Sequence, residues 1–154
     1  MALSHRQFLK AMALLLASSG AFSARVARAL DRNKKGFDAR SPKDALEAIN
    51  AATAAESKSI LLRVPDIAAD GEQVEVLVAS KIPNTELISL LVHSNTQPLA
   101  LSVAILAGAE PSFSTVLHLR KTSVVTAVVQ AGGKTYRVAR EVKVATALQC
   151  DRAT

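Results

Sequence analysis

Cys150 is the residue of this sequence whose chemistry is most informative, because it is the only cysteine among 154 residues. It follows a strand-like run rich in Val, Lys and Arg, residues 136–144. A thiol needed only for packing would lie in a core, whereas a thiol on a short arm can leave the surface and enter another protein. The position therefore predicts a covalent attachment site, and a buried or incidental tail cysteine is the alternative.

The protonation state expected of this thiol favours a carrier over a catalyst. The pKa of a free cysteine lies above neutral pH, so only a small fraction is thiolate and a partner enzyme must activate it. A single cysteine makes no internal disulfide. In an oxidising compartment, an unpaired cysteine indicates intermolecular pairing or a reactive thiol.

No second set of residues has the spacing of an enzyme site. His93 and His118 each fall in a predicted strand, without the close His, Cys or Asp neighbours of a metal site. Asp66 and Asp70 flank a turn, and neither a Gly-rich phosphate loop nor a nucleophile elbow is present. We therefore expect no catalytic residue, no metal and no cofactor.

The N-terminus has the layout of an export signal over residues 1–29. A charged start, 4–10, precedes an apolar run, 11–17, and Ala27-Arg28-Ala29 has the form of a cleavage site. The start resembles a twin-arginine signal with His5 in place of the first arginine. The run is shorter than the roughly 20 residues that span a membrane, so we expect a periplasmic protein without a membrane span. An amphipathic helix of the folded domain is the alternative.

The basic character of the chain comes largely from this segment. Four of the 19 Lys and Arg residues lie in residues 1–29, which contain no Asp or Glu, so 15 basic and 13 acidic groups remain. No basic cluster with interleaved aromatic residues is left, and nucleic-acid binding is therefore not expected. About 125 residues then make one domain with a modest core.

A helix is predicted over residues 42–57, after a polar lead-in at 30–40. Ser41 is placed to cap it, Pro42 fits the first helical position, and Asp44 supplies a carboxylate in the first turn. Apolar residues at helical spacing then form one face: Ala45, Leu46, Ile49 and Ala52.

The periodicity changes to that of strands from Ser59 onward. Val74, Val76 and Val78 alternate with other residues and are expected on one face. Gly132 and Gly133 predict a hairpin loop with positive φ. Short strands separated by turn signals predict an immunoglobulin-like antiparallel β-sandwich over 41–146, mainly β with one N-terminal helix. The seven predicted strands are 59–64, 73–80, 87–93, 99–106, 115–120, 123–130 and 134–146.

Several segments, in this order, resemble the SoxY family of the Sox sulfur-oxidation system. Residues 65–71 are similar to the family's P-[DE]-I-A-[ED]-N-G turn, with Asp70 where Asn is usual. Residues 97–99 resemble its N-P-x-P-L turn, and residues 136–144 are similar to its last strand. The opening is similar as well, in Asp44-Ala45-Leu46 and in Glu56-Ser57 leading to Ile60.

This resemblance implies a thiosulfate-oxidation carrier without turnover of its own. Cys150 would be the covalent attachment site for substrate, on a mobile C-terminal carrier arm at 147–154. A SoxZ-like β-sandwich would form a heterodimer with the chain. Enzymes of the SoxAX, SoxB and SoxCD types would load, hydrolyse and oxidise the sulfur adduct. In the family the cysteine lies in G-G-C-G-G, whereas here Leu148-Gln149 precede it and Asp151-Arg152 follow.

Two other classes of function compete with the carrier. One is a structural or binding β-sandwich with an incidental cysteine, which would take up no sulfur adduct. The other is a thiol enzyme, which would turn over without partner proteins. Intact-mass measurement separates the first from a carrier, and steady-state assay of the isolated protein separates the second.

Overall fold

The computed structural model describes residues 34–69 and 73–145. Residues 34–38 are helical, and one further helix, α1, spans Pro42–Ala48. Neither helical segment has the length and hydropathy that crossing a lipid bilayer requires. The strands of this part of the chain are β1 (Ala55–Glu56), β2 (Ile60–Arg63), β3 (Ile67–Ala68), β4 (Val74–Ser80), β5 (Thr85–Val92), β6 (Leu99–Ala104), β7 (Ser112–Leu117), β8 (Ser123–Ala131) and β9 (Lys134–Val144).

The strands form two sheets that pack face to face. The larger sheet has the order β1-β9-β8-β5-β6, and β3 also pairs with β9; the smaller sheet has the order β2-β4-β7. The long pairings are antiparallel, whereas β1 and β3 run parallel to β9 at two separate places along it. The predicted antiparallel β-sandwich is confirmed.

Alternating burial along the strands explains why the two sheets pack face to face. In β4 the side chains of Val74, Val76 and Val78 are at most 1% exposed, as predicted, while Glu75 and Leu77 face outward. Strand β8 is buried along most of its length instead. A strand in the middle of a sheet that is covered on both faces has no solvent side, so its sequence is nearly all apolar.

Two clusters of buried side chains hold the layers together. The first lies between the sheets and includes Val78, Leu90 and Val129. The second lies on the outer face of the larger sheet, where Ala45 and Ile49 pack against Leu91, Leu99 and Val128. The larger sheet is therefore a middle layer between the smaller sheet and residues 34–48, which hold both helices and which we call the N-terminal helical segment.

Strand β5 supplies both clusters from consecutive residues. The register with β6 shifts between Leu90 and Leu91, and both side chains are fully buried. Leu90 packs between the sheets, whereas Leu91 packs beneath α1. Ile88, Leu90 and Val92 all belong to the first cluster, so β5 keeps the regular alternation of a strand, and the extra residue at the register shift is Ala100 of β6.

The predicted start of α1 is confirmed, and its predicted end is wrong. The Ser41 hydroxyl accepts a hydrogen bond from the Asp44 amide at 3.1 Å, as an N-cap does. The helix ends at Ala48 rather than near residue 57, because Ile49 caps it and Asn50 adopts a φ of 56°. This left-handed residue turns the chain, and β1 then occupies residues that were predicted helical.

The seven predicted strands correspond to the seven longer strands of the structure. The hairpin between β8 and β9 is confirmed, with Gly132 and Gly133 at φ of 54° and 75°. Strand β7 begins three residues earlier than predicted, at Ser112. The two-residue strands β1 and β3 were not predicted, since so short a segment has no periodicity to detect.

Candidate functional site

Cys150 and the arm predicted over 147–154 lie outside the described residues, as does the export signal predicted over 1–29. The structure does describe the chain up to Ala145, five residues before the thiol. Residues 143–145, which we call the arm root, are therefore the described part of the candidate site. Their position limits where the thiol can go.

The arm root is held by backbone hydrogen bonds on both sides. On one side, the Lys143 amide donates to the Asp66 carbonyl and the Ala145 amide donates to the Ala68 carbonyl, each at 2.9 Å. On the other side, the Val144 amide donates to the Thr122 hydroxyl at 3.1 Å. Three consecutive N–H groups thus have partners, two in the segment 66–68 that contains β3 and one in the loop before β8.

Packing reinforces this anchoring. Val142 is fully buried between the sheets, and the half-buried Val144 packs against the same cluster. Apolar burial just before the root and hydrogen bonds at the root fix the direction in which the chain leaves the sandwich. Five residues of extended chain span at most about 18 Å, so the Cα atom of Cys150 stays within roughly that distance of the Ala145 Cα.

The two histidines of the described chain belong to no group of three or more potential metal ligands. Each lies one residue beyond a strand rather than inside it, His93 after β5 and His118 after β7. The His93 Nε2 lies 3.0 Å from the Thr126 hydroxyl of the larger sheet. Burial, followed by the nearby Arg137 guanidinium, lowers the pKa of His93. A mainly neutral, hydrogen-bonded imidazole in this place is a structural group.

The described carboxylates do not assemble a metal centre. Across residues 34–69 and 73–145, no three His, Cys, Asp or Glu side chains come close enough to hold a metal ion. Asp66 is exposed, and its backbone carbonyl, rather than its carboxylate, contributes to the arm root. Asp70 lies outside the described residues.

Thr122 and β3 are the parts of the arm root that sequence reasoning missed. The segment 65–71 was recognised only as a family-like turn, yet its residues Asp66 and Ala68 hold the last strand at the arm root. No sequence signal identifies Thr122, because its contact with Val144 joins residues 22 positions apart.

Together these features describe an immunoglobulin-like sandwich whose last strand leads from an anchored root toward a single thiol. Comparison with known proteins supports the sandwich fold. The family model "Sulfur oxidation protein SoxY" matches residues 46–147. The sulfur carrier protein SoxY from Chlorobium limicola f thiosulfatophilum is 34% identical, with a TM-score of 0.61 over 77% of this chain and 98% of that one.

A second group of solved structures shares the fold alone. The superoxide reductase (neelaredoxin) from Ignicoccus hospitalis is 24% identical, with a TM-score of 0.51 over 68% of this chain and 93% of that one. A single-residue variant of that reductase has a TM-score of 0.50 at 23% identity, over 64% of this chain and 86% of that one. No curated protein matches the chain.

The chain belongs to the SoxY family. It is accordingly a carrier protein of sulfur oxidation and not an enzyme, as the sequence predicted.

Proposed function

We propose that this protein is a periplasmic carrier that holds intermediates of thiosulfate oxidation covalently on Cys150. The observation that supports this most directly is the arm root, where three consecutive amides are anchored five residues before the thiol. A fixed root followed by a short extension limits the distance from the sandwich at which the thiol can meet an enzyme. Family membership supplies the sulfur chemistry.

Loading is an oxidation that needs an electron acceptor. The Cys150 thiol and thiosulfate form a sulfur–sulfur bond, giving a cysteine S-thiosulfonate, and release one proton and two electrons. The electrons go to the c-type cytochrome of a SoxAX-type complex. The carrier supplies the cysteine sulfur to which thiosulfate bonds. The partner supplies the activation that a mainly protonated thiol requires.

Unloading begins with hydrolysis and leaves the carrier charged with sulfur. Water attacks the terminal sulfonate in a SoxB-type enzyme, the sulfur–sulfur bond to the sulfonate breaks, and sulfate leaves. A persulfide remains on Cys150. A SoxCD-type enzyme then oxidises this sulfane sulfur to a sulfonate, taking three oxygen atoms from water, releasing seven protons and passing six electrons to a c-type cytochrome. A second hydrolysis breaks the bond between the Cys150 sulfur and the sulfonate, so that sulfate leaves and the thiol is restored.

The carrier is proposed to work as a heterodimer with a SoxZ-type β-sandwich. A small domain with a modest aliphatic core gains stability when it buries surface against a partner that binds only the folded state. Gel filtration of the two chains together should give a complex larger than either chain alone. Elution of the chain as a monomer in the presence of the SoxZ-type subunit would contradict this assembly.

Intact-mass measurement tests the covalent role. Incubation with thiosulfate, a SoxAX-type complex and oxidised cytochrome should add one thiosulfonate group to the mature chain. The matched Cys150→Ser variant should gain no mass. If the unmodified chain gains no sulfur while the complex oxidises thiosulfate with a known SoxY, the carrier proposal is wrong.

Alkylation tests whether the thiol is available to partners. Iodoacetamide should label Cys150 in the native protein nearly as fast as in denaturant, because a thiol on an exposed arm has no protecting core. Oxidation without partners should give disulfide-linked dimers through the same residue. Slow labelling in the native protein would favour the structural alternative.

A further inference from the structure

We propose that the surface around the arm root is the docking surface for the enzymes that act on the carrier, and that it fits an acidic rim around their active-site channel. The surface consists of Ile67, Arg120, Lys121 and Lys143, and we call it the root surface. This inference rests on the proposed covalent role of Cys150. It adds the residues that bring the enzyme to the arm.

The short reach of the arm requires such a surface. Five residues beyond Ala145 extend at most about 18 Å, and part of that length must lie inside the enzyme. The rim of the channel must therefore come close to Ala145 whenever the thiol is at the reacting centre. Only the end of the sandwich where β9 leaves is near enough to meet that rim.

Ile67 is the apolar residue of this end. Its side chain is 65% exposed although it lies in strand β3, whose neighbouring residue Ala68 is only 7% exposed. It pairs in register with Lys143, at the first residue of the arm root. An isolated exposed apolar residue is common on protein surfaces, but one beside the exit of the arm would be covered in every encounter with an enzyme.

The cations of this end give the surface its charge. Arg120 and Lys121 precede Thr122, whose hydroxyl holds the Val144 amide, and they are exposed, as is Lys143. Among the described residues, Asp66 and Glu141 are exposed carboxylates near this end, and Arg140 beside Glu141 is a further exposed cation. The described residues of this end thus hold four cations against two carboxylates, and this positive excess favours an acidic partner surface, since opposite charges at an interface rim increase the rate of encounter.

Paired variants from the two ends of the sandwich test the root surface. Ile67→Ser and Lys143→Glu change the root surface. Leu106→Ser and Lys134→Glu are the matched controls, because Leu106 is 77% exposed and both residues lie at the opposite end. Each full-length variant is loaded with thiosulfate by a SoxAX-type complex, and kcat/KM is followed by intact mass at low salt and at about 0.5 M salt, where the Debye length is a few ångströms.

We expect Ile67→Ser to lower kcat/KM by about tenfold, because one buried aliphatic contact is worth a factor of that order. Lys143→Glu should lower kcat/KM severalfold at low salt, and high salt should narrow that difference because it screens exposed charges. Both controls should stay within about twofold of the unmodified chain. Iodoacetamide labelling of Cys150 should be equal in all of these proteins, which shows that the arm itself is unchanged.

This experiment separates a failure of the proposed root surface from a failure of the proposed carrier role. Suppose that the unmodified chain and the controls load normally and that Ile67→Ser and Lys143→Glu load at the rate of the unmodified chain. The proposed docking role of the root surface is then wrong, and the carrier role stands. A loss of equal size in the controls also overturns it, since the effect would not be confined to this end. If the unmodified chain takes up no sulfur, the carrier proposal fails and the root surface fails with it.

Discussion

The neighbours of Cys150 distinguish this chain from the glycine-rich tail that the family resemblance implies. Gln149 and Asp151 stand where glycines would give a thin and adaptable backbone. Side chains at these positions widen the segment that must enter an enzyme channel. Bulk next to the thiol is therefore the first feature expected to limit the rate of loading.

Replacing Gln149 and Asp151 together by glycine should speed loading by a SoxAX-type complex. An increase of about tenfold corresponds to removing about 1.4 kcal/mol from the barrier, which is the scale expected for one steric conflict. The measurement is kcat/KM by intact mass, with Ala153→Gly as a control farther from the thiol. Unchanged loading in the double variant would show that bulk is not limiting.

His93 gives the fold a dependence on pH. Its pKa is lowered in the folded state, by burial first and by Arg137 second, so protonation favours the unfolded chain. The stability that depends on neutral His93 is present in full above about pH 6.5, the pKa of an unperturbed histidine, and is lost as pH falls through that value toward the lower folded pKa.

Replacing His93 by Gln, which retains a polar group for Thr126, should flatten this dependence. Urea unfolding of the unmodified protein should give a lower free energy at about pH 5 than at about pH 7, on either side of the ordinary histidine pKa, and the difference should be smaller for His93→Gln. His118→Gln, which changes an exposed side chain, should behave like the unmodified protein. Equal differences in all three proteins would exclude His93 as the titrating group.

At the scale of elements, the end of β9 depends on one side chain from a loop. The Thr122 hydroxyl accepts the Val144 amide, and carbonyls of the segment 66–68 accept the amides on either side of it. Thr122→Val removes the acceptor while preserving the shape of the side chain. The central hydrogen bond of the arm root is then lost without any change in β3.

The Thr122→Val variant should unfold with about 0.5 to 1 kcal/mol less free energy, the net value of one hydrogen bond. Its Val144 amide should exchange with solvent faster than in the unmodified protein, by NMR. Thr122→Ser keeps the hydroxyl and should preserve the slower exchange. Identical exchange in the Val and Ser variants would mean that this bond does not hold the root.

The sequence predicted those elements that have a period or a strong turn signal. Val74, Val76 and Val78 made the face of β4 evident, and Gly132-Gly133 identified the hairpin. The end of α1 was missed, although Asn50 tolerates the left-handed conformation that ends a helix and was a usable signal. Strands β1 and β3 exist only because β9 offers an edge to them, so no local pattern announces them. The candidate site was predicted only as Cys150, and its anchoring depends on tertiary contacts.

At the scale of the whole molecule, the larger sheet is covered on both faces. The N-terminal helical segment therefore belongs to the hydrophobic core and is more than a lead-in to the sandwich. Gly36 shows how closely it packs, because a Cβ atom there would lie 2.8 Å from the Leu99 side chain. The outer face of the smaller sheet differs, since Leu61, Leu77 and Val116 remain 39 to 49% exposed on it.

Truncating one leucine on each outer face should show this difference. Leu91→Ala, beneath α1, should lower the free energy of unfolding by about 2 to 5 kcal/mol, as large cavities in cores do. Leu61→Ala, on the smaller sheet, should lower it by less than about 0.5 kcal/mol. Urea unfolding of the two variants measures both values. Similar losses in both variants would contradict the role of the helical segment as a core layer.

The outer edge of β9 has a consequence for whether the protein stays soluble at high concentration. β1 covers this edge at residues 136–137 and β3 covers it at 143–144, which leaves 138–142 without a strand partner on that side in the described structure. A long bare edge is a template for aggregation, and short covering strands and charged residues such as the exposed Arg140 and Glu141 oppose it. Because β3 both protects this edge and holds the arm root, any change that releases β3 should free the arm and promote aggregation together.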